Sequence, residues 1–266
     1  MTGRKMSCPV ALVAVGAAGM IPVVFFWMRN RPVDIGLRPY GESAAAPGAV
    51  SSVRTNPVVT TLRVLATGMR SSDFWLLFAT FFICGLSTNG LIGTHLIPAC
   101  IDAGIPEVQA AGILAAMGVF DLAGTTLSGW LSDRWNNRYL LFWYYALRGL
   151  SLMYLPFALD GVVFLGLSVF AVFYGLDWIA TVPPTVRLTT DAFGKENGGI
   201  TFGWIVAGHQ IGAATAALGA GTLRTVLGTY EQAFLIAGGV CILAALLALR
   251  IGTPARRQRR MATAPA

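Results

Sequence analysis

Ionisable side chains are scarce in this chain: Lys, Arg, Asp and Glu together make up 12% of its 266 residues, where ordinary soluble domains carry about a quarter. With 55% of residues hydrophobic and a mean hydropathy of +0.66, that deficit excludes a water-soluble globule. One core cannot hide so many apolar residues, so lipid is the solvent. Cysteine is equally sparse. Cys8, Cys84, Cys100 and Cys241 are far apart and form no CxxC pair, which excludes a disulfide framework and a thiolate metal site and leaves them as small packing residues. Only two histidines occur, His95 and His209, too far apart and without a carboxylate motif to make a metal site. His95 reads as a hydrogen-bonded packing residue. There is no HExxH, no GxSxG and no phosphate-binding Gly-Lys-Ser/Thr loop, so enzymatic chemistry and a cofactor are not indicated. The net charge of +7 does not signal nucleic acid, because the basic residues are confined to short loops and a tail.

What the chain has instead is apolar runs. Seven are long enough to cross a hydrocarbon core, which takes about 20 residues: 9–28, 74–101, 108–131, 139–159, 162–186, 201–223 and 233–249. Without strict alternation they are helices, since unpaired backbone groups are too costly in lipid. The connections alternate in charge. Basic residues gather in the segment after the first run, the 132–138 loop, the 187–195 segment (Arg187 and Lys195) and the C-terminus; the intervening connections carry at most Arg224. The positive-inside bias therefore places the arginine-rich connections and the C-terminus in the cytoplasm of a multi-pass protein of the inner (plasma) membrane. Arg4 and Lys5 break the pattern. They are also the basic start expected of a signal peptide, but the apolar run is longer than usual and ends at Arg29 rather than at a small-residue cleavage site.

The fold class expected is an all-α integral membrane protein: a six-helix transporter half-bundle preceded by one extra transmembrane helix. Its parts are a first helix (1–28), a cytoplasmic linker loop (29–72) with a centre rich in Ala, Ser, Gly and Pro, the bundle (73–250), and a basic cytoplasmic tail (251–266).

Several segments carry a family resemblance. Gly129-Trp-Leu131-Ser-Asp133-Arg134-Trp-Asn-Asn-Arg138 resembles the G-x-L-x-D-R-x-G-R-[KR] loop motif of the major facilitator superfamily, with Asn136 and Asn137 where the family has Gly and a basic residue. The segment from Arg31 to Glu42, the run Asp177 to Pro184, and Phe202-Gly-Trp204 with His209-Gln210-x-Gly212 are similar to bacterial monocarboxylate-type members. The resemblance implies helices six to twelve of a twelve-helix secondary transporter for a small organic solute, with a monocarboxylate-like, proton-coupled anion as the expected cargo. It also implies a missing N-terminal half or a self-dimer as the partner for transport. On the eighth helix the monocarboxylate branch has an Asp and, four residues on, an Arg; Asp121 matches the first, and Thr125 stands at the second.

Charges inside a span cost about 2.5–3.5 kcal/mol each on insertion scales and face a cavity or a partner. Asp121, Arg148 and Asp177 all fall near the middle of their runs, which suggests a shared polar cavity, one aspartate taking up a proton while Arg148 pairs with the other or with the solute. The alternative is a structural ion pair between helices, with the second aspartate kept protonated by burial. Asn89, Tyr174, His209 and Gln210 are further candidates for the solute and proton pathway; Tyr174, Asp177 and Thr181 share a helix face. Gly129, Leu131, Asp133, Arg134 and Arg138 form the loop motif. Pro183-Pro184 is expected to interrupt the fifth run near its cytoplasmic end. Small residues at four-residue spacing, Gly199-Gly203-Ala207 and Gly208-Gly212-Ala216-Ala220, mark close helix contacts. A seven-span receptor or interaction subunit remains the alternative by span count alone.

Overall fold

The computed structural model describes residues 8–28 (side chains from residue 14), 35–37, 56–161 and 166–252, and among them every regular element is a helix. The centre of the expected linker, the Arg31–Glu42 match except residues 35–37, and nearly all of the basic tail lie outside the described residues. Contacts divide the chain into two units, 1–54 and 55–266.

In the first unit, α1 (Cys8–Trp27) is apolar along its length and its described side chains are exposed. A helix apolar along its length whose described side chains are exposed is suited to lipid.

The second unit opens with α2 (Pro57–Gly68), inside the segment the sequence marks as linker. Its signals are local. Asn56 accepts the Val58 N–H at 3.0 Å, and Pro57 holds the first helical position. Its inner stripe, Thr60, Thr61, Val64, Leu65 and Gly68, turns toward the bundle, and Trp204 Nε1 donates to the Thr61 carbonyl at 3.2 Å. A twelve-residue amphipathic helix is too short to register as a membrane span, which hid it among the linker residues.

The bundle proper is α3 (Ser72–Gly85), a π-helical segment (Leu86–Ile92) and α4 (Gly93–Asp102), then α5 (Glu107–Ser132), α6 (Asn137–Leu159), α7 (Gly166–Asp177), α8 (Val182–Leu227) and α9 (Glu231–Ala248). Among the described residues four continuous helical stretches are long and apolar enough to cross a membrane: Ser72–Asp102, Glu107–Ser132, Gly166–Leu227 and Glu231–Ala248. The third is 62 residues long, about 90 Å if straight, and it is not one rod. Gly194 sits at φ 81° and ψ 162°, a conformation that side chains with a Cβ avoid, and there α8 folds back so that Gly198 packs against Thr190. Residues 182–193 therefore complete the span that α7 begins, and 195–227 form the next one.

Helices pack in pairs, α3 on α8, α5 on α7 and α6 on α9, and the pairs close on glycine. A Cβ on Gly85 would overlap the His209 carbonyl oxygen, and one on Gly124 the Leu176 carbonyl oxygen. Such contacts bring backbones together where lipid gives helices no hydrophobic reason to associate. Gly208, Gly212, Ala216 and Ala220 form the buried stripe of α8, whereas Gly199 and Gly203 are exposed.

Candidate functional site

The span made by α7 and the first part of α8 is broken at residues 178–181, near its middle. Two prolines cause the break. Pro183 and Pro184 have no N–H to offer the carbonyls of Ile179 and Ala180, and their rings clash with the preceding turn. The prolines themselves stand near the loop-motif end of the bundle, where Pro183 shares a pocket with Asp133, Arg187 and Lys195, and the break lies on their mid-span side.

A break inside a membrane leaves polar backbone without partners, and here neighbouring helices supply them. Arg148 of α6, fully buried, donates through Nε to Asp177 Oδ2 at 2.6 Å. Through Nη2 it donates to the carbonyls of Asp177 (2.6 Å) and Trp178 (3.1 Å). Its Nη1 donates to Cys84 Sγ at 3.1 Å. From α5, Asp121 Oδ1 accepts the Ile179 N–H at 2.9 Å and the Thr125 hydroxyl at 3.0 Å. Ser128 Oγ, also on α5, donates to the Ala180 carbonyl. Thr181 Oγ1 lies 3.3 Å from Cys84 Sγ. Asp121, Arg148 and Asp177 thus come together on this turn, and Thr125 gives Asp121 a neutral donor where the monocarboxylate branch has a cation. Among the described residues Asp121 takes part in no ion pair. Tyr174 is wholly buried and donates to the Ser87 carbonyl at 2.7 Å, so it ties α7 to the π-helical segment.

Beside the turn lies a cavity of about 280 Å³. Its polar lining is Thr88, Asn89, His209 and Gln210; Cys84, Trp178 and Ile179 join it from the turn's side, and Phe81, Val182, Phe202 and Val206 supply apolar wall. None of Asp121, Arg148, Tyr174 and Asp177 lines it. The π-helical segment explains Asn89. Ser87 and Thr88 hydroxyls donate back to the carbonyls of Ile83 (2.9 Å) and Cys84 (2.7 Å), which competes with regular α-helical bonding and widens the turn, and Asn89 is left exposed at the opening. His209 is held by its backbone carbonyl against Gly85, with its ring 5.1 Å from that of Phe81. Gln210 follows it, exposed.

Of the residues singled out in the sequence, Asn89, His209 and Gln210 therefore share the cavity, and the charged set belongs to the turn. Trp178 and Ile179 went unnoticed. The signal that finds them is Pro183-Pro184, which points back to positions 178–181.

The loop motif occupies one end of the bundle. Asp133 ends α5 and faces Arg187 at 3.8 Å, both exposed. Arg134 lies over the Trp130 ring at 4.2 Å and donates to its carbonyl at 3.1 Å. The two asparagines that depart from the motif have local work. Asn136 caps α6 by accepting the Arg138 N–H at 3.1 Å, and buried Asn137 bonds back to Ser132. Gly129 and Leu131 are half-buried on the last turns of α5. At the other end His95 is a packing residue, with its ring nitrogens 2.9 Å from the Ala217 carbonyl and 3.3 Å from the Tyr230 hydroxyl.

A multi-pass helical bundle with a discontinuous helix next to a mid-span cavity is the architecture of a membrane transporter. Residues 104–265 match the Major Facilitator Superfamily, and the chain belongs to that superfamily; it is a membrane-spanning chain of a transporter family and not an enzyme. Among its relatives are the uncharacterised MFS-type transporter YcxA of Bacillus subtilis (strain 168), 29% identical over 63% of this chain and 40% of that protein, and monocarboxylate transporter 12-B of Danio rerio, 26% identical over 66% and 37%. Monocarboxylate transporter 13 of Rattus norvegicus is 31% identical over 54% and 33%. The chain spans two fifths or less of the length of these relatives.

Proposed function

We propose that the chain is one bundle of a proton-coupled transporter for small monocarboxylate-like anions, and that the proton and the anion meet at His209. The observation that carries this reading is the cavity's lining: it contains no carboxylate, lysine or arginine, and His209 is its one imidazole. Arg148, the other cation at this depth, is fully buried with its donors engaged on the turn, so it has no free face for a solute. An imidazole becomes a cation by taking up a proton. A carboxylate entering a cavity without a fixed cation is then bound together with the proton that makes one, while Gln210 and Asn89 offer amide donors to the rest of the solute. The names of the monocarboxylate relatives support the solute class.

Alternating access takes two bundles rocking about a central site. In this proposal the described bundle is one wall, and a second bundle is the other. The arginine-rich end faces the cytoplasm of the plasma membrane.

Titration calorimetry of the detergent-purified chain with L-lactate, in buffers of different ionisation heat, tests the site without requiring transport. Lactate is expected to bind with uptake of one proton, its affinity falling up to about tenfold for each pH unit as pH rises, and His209→Gln is expected to abolish binding. Binding without proton uptake, or undiminished in His209→Gln, would refute the assignment.

A further inference from the structure

We infer that Arg148 and Asp121 are positioning residues for the cavity: from α6 and α5 they hold the non-helical turn 178–181, whose Trp178 and Ile179 form part of its wall. The inference rests on reading that cavity as the solute site.

The bonds are distributed as this role requires. Arg148 spends one donor on a carboxylate oxygen and two bonds on main-chain carbonyls, one of them that of Trp178. Asp177 Oδ1 is buried without a hydrogen-bond partner. A contact shaped for the ion pair would use both carboxylate oxygens in a fork; this one leaves one oxygen bare and serves the backbone. The carboxylate is the counter-ion that allows a guanidinium to be buried at all. On the other side, Asp121 bonds the Ile179 N–H and is itself oriented by Thr125 four residues on. The carbonyl at 178, the amide at 179 and the carbonyl at 180 each have a partner on α5 or α6, so the wall is fixed before a solute arrives. A lysine at 148 could meet the carboxylate but could not fork across two carbonyls.

Hydrogen–deuterium exchange on the purified chain without solute separates this role from a simple ion pair. In Arg148→Lys, and in the neutral pair Arg148→Gln with Asp177→Asn, amides at 178–185 are expected to exchange at least tenfold faster, with α9 unchanged, and L-lactate affinity to fall at least tenfold. Wild-type protection of 178–185 in either variant overturns the inference, because it means that pairing or neutrality suffices. Should α9 also lose protection, Asp121→Ala decides: faster exchange confined to 178–185 supports the role and wild-type protection refutes it. Because the exchange needs no solute, an absence of lactate binding by the wild-type chain counts against the proposed function and leaves this result standing.

Discussion

The turn at 178–181 and the cavity beside it lie at one depth and share Trp178 and Ile179, yet they treat polar groups in opposite ways. On the turn the carbonyls at 178 and 180 and the amide at 179 have fixed partners on α5 and α6, and Arg148 is fully buried. In the cavity His209 is half-buried, and Asn89 and Gln210 are exposed. Charge inside a membrane is costly in both places. The turn meets the cost with pairing, whereas the cavity avoids it by having no carboxylate, lysine or arginine in its lining. A mid-span charge is therefore a poor guide to which side chains line a cavity.

Three substitutions sharpen or break this contrast. The largest loss is expected from Gly85→Ala, because its Cβ meets the backbone of His209 rather than a flexible side chain. Overpacking usually costs about 1–3 kcal/mol and more where nothing can yield; against backbone on both sides a loss above about 5 kcal/mol is expected, and the check is the yield of monodisperse protein in detergent. Next, Arg148→Met removes one partner of a buried pair and strips the turn of its cap, a loss of about 3–5 kcal/mol readable in thermal unfolding. The smallest is His209→Gln, expected to change stability by less than about 0.5 kcal/mol even though lactate binding is lost. A large destabilisation by His209→Gln, or none by Arg148→Met, would reverse the assignment of the two regions.

The sequence made the helices legible because lipid imposes a simple rule: the expected runs 74–101, 108–131 and 139–159 fall within three residues of Ser72–Asp102, Glu107–Ser132 and Asn137–Leu159. Depth was legible too, since position along a span fixes it. Direction was not. At roughly 100° of rotation per residue, a charge mid-helix points wherever packing turns it, and Arg148 and Asp121 turn toward the broken helix. The break was written in Pro183-Pro184, but it falls at 178–181, ahead of the prolines, because a proline leaves unpaired the carbonyl four residues before it. The helix α2 escaped because a short amphipathic helix follows another rule than spans.

Gly194 carries a mechanical implication. One residue joins the span that contains the broken turn to the span that bears His209, so there is no slack between them. Neither rod can slide along the membrane normal without pulling its neighbour. A displacement of the span that bears His209 is thus passed through a one-residue elbow to the very helix whose middle is unwound.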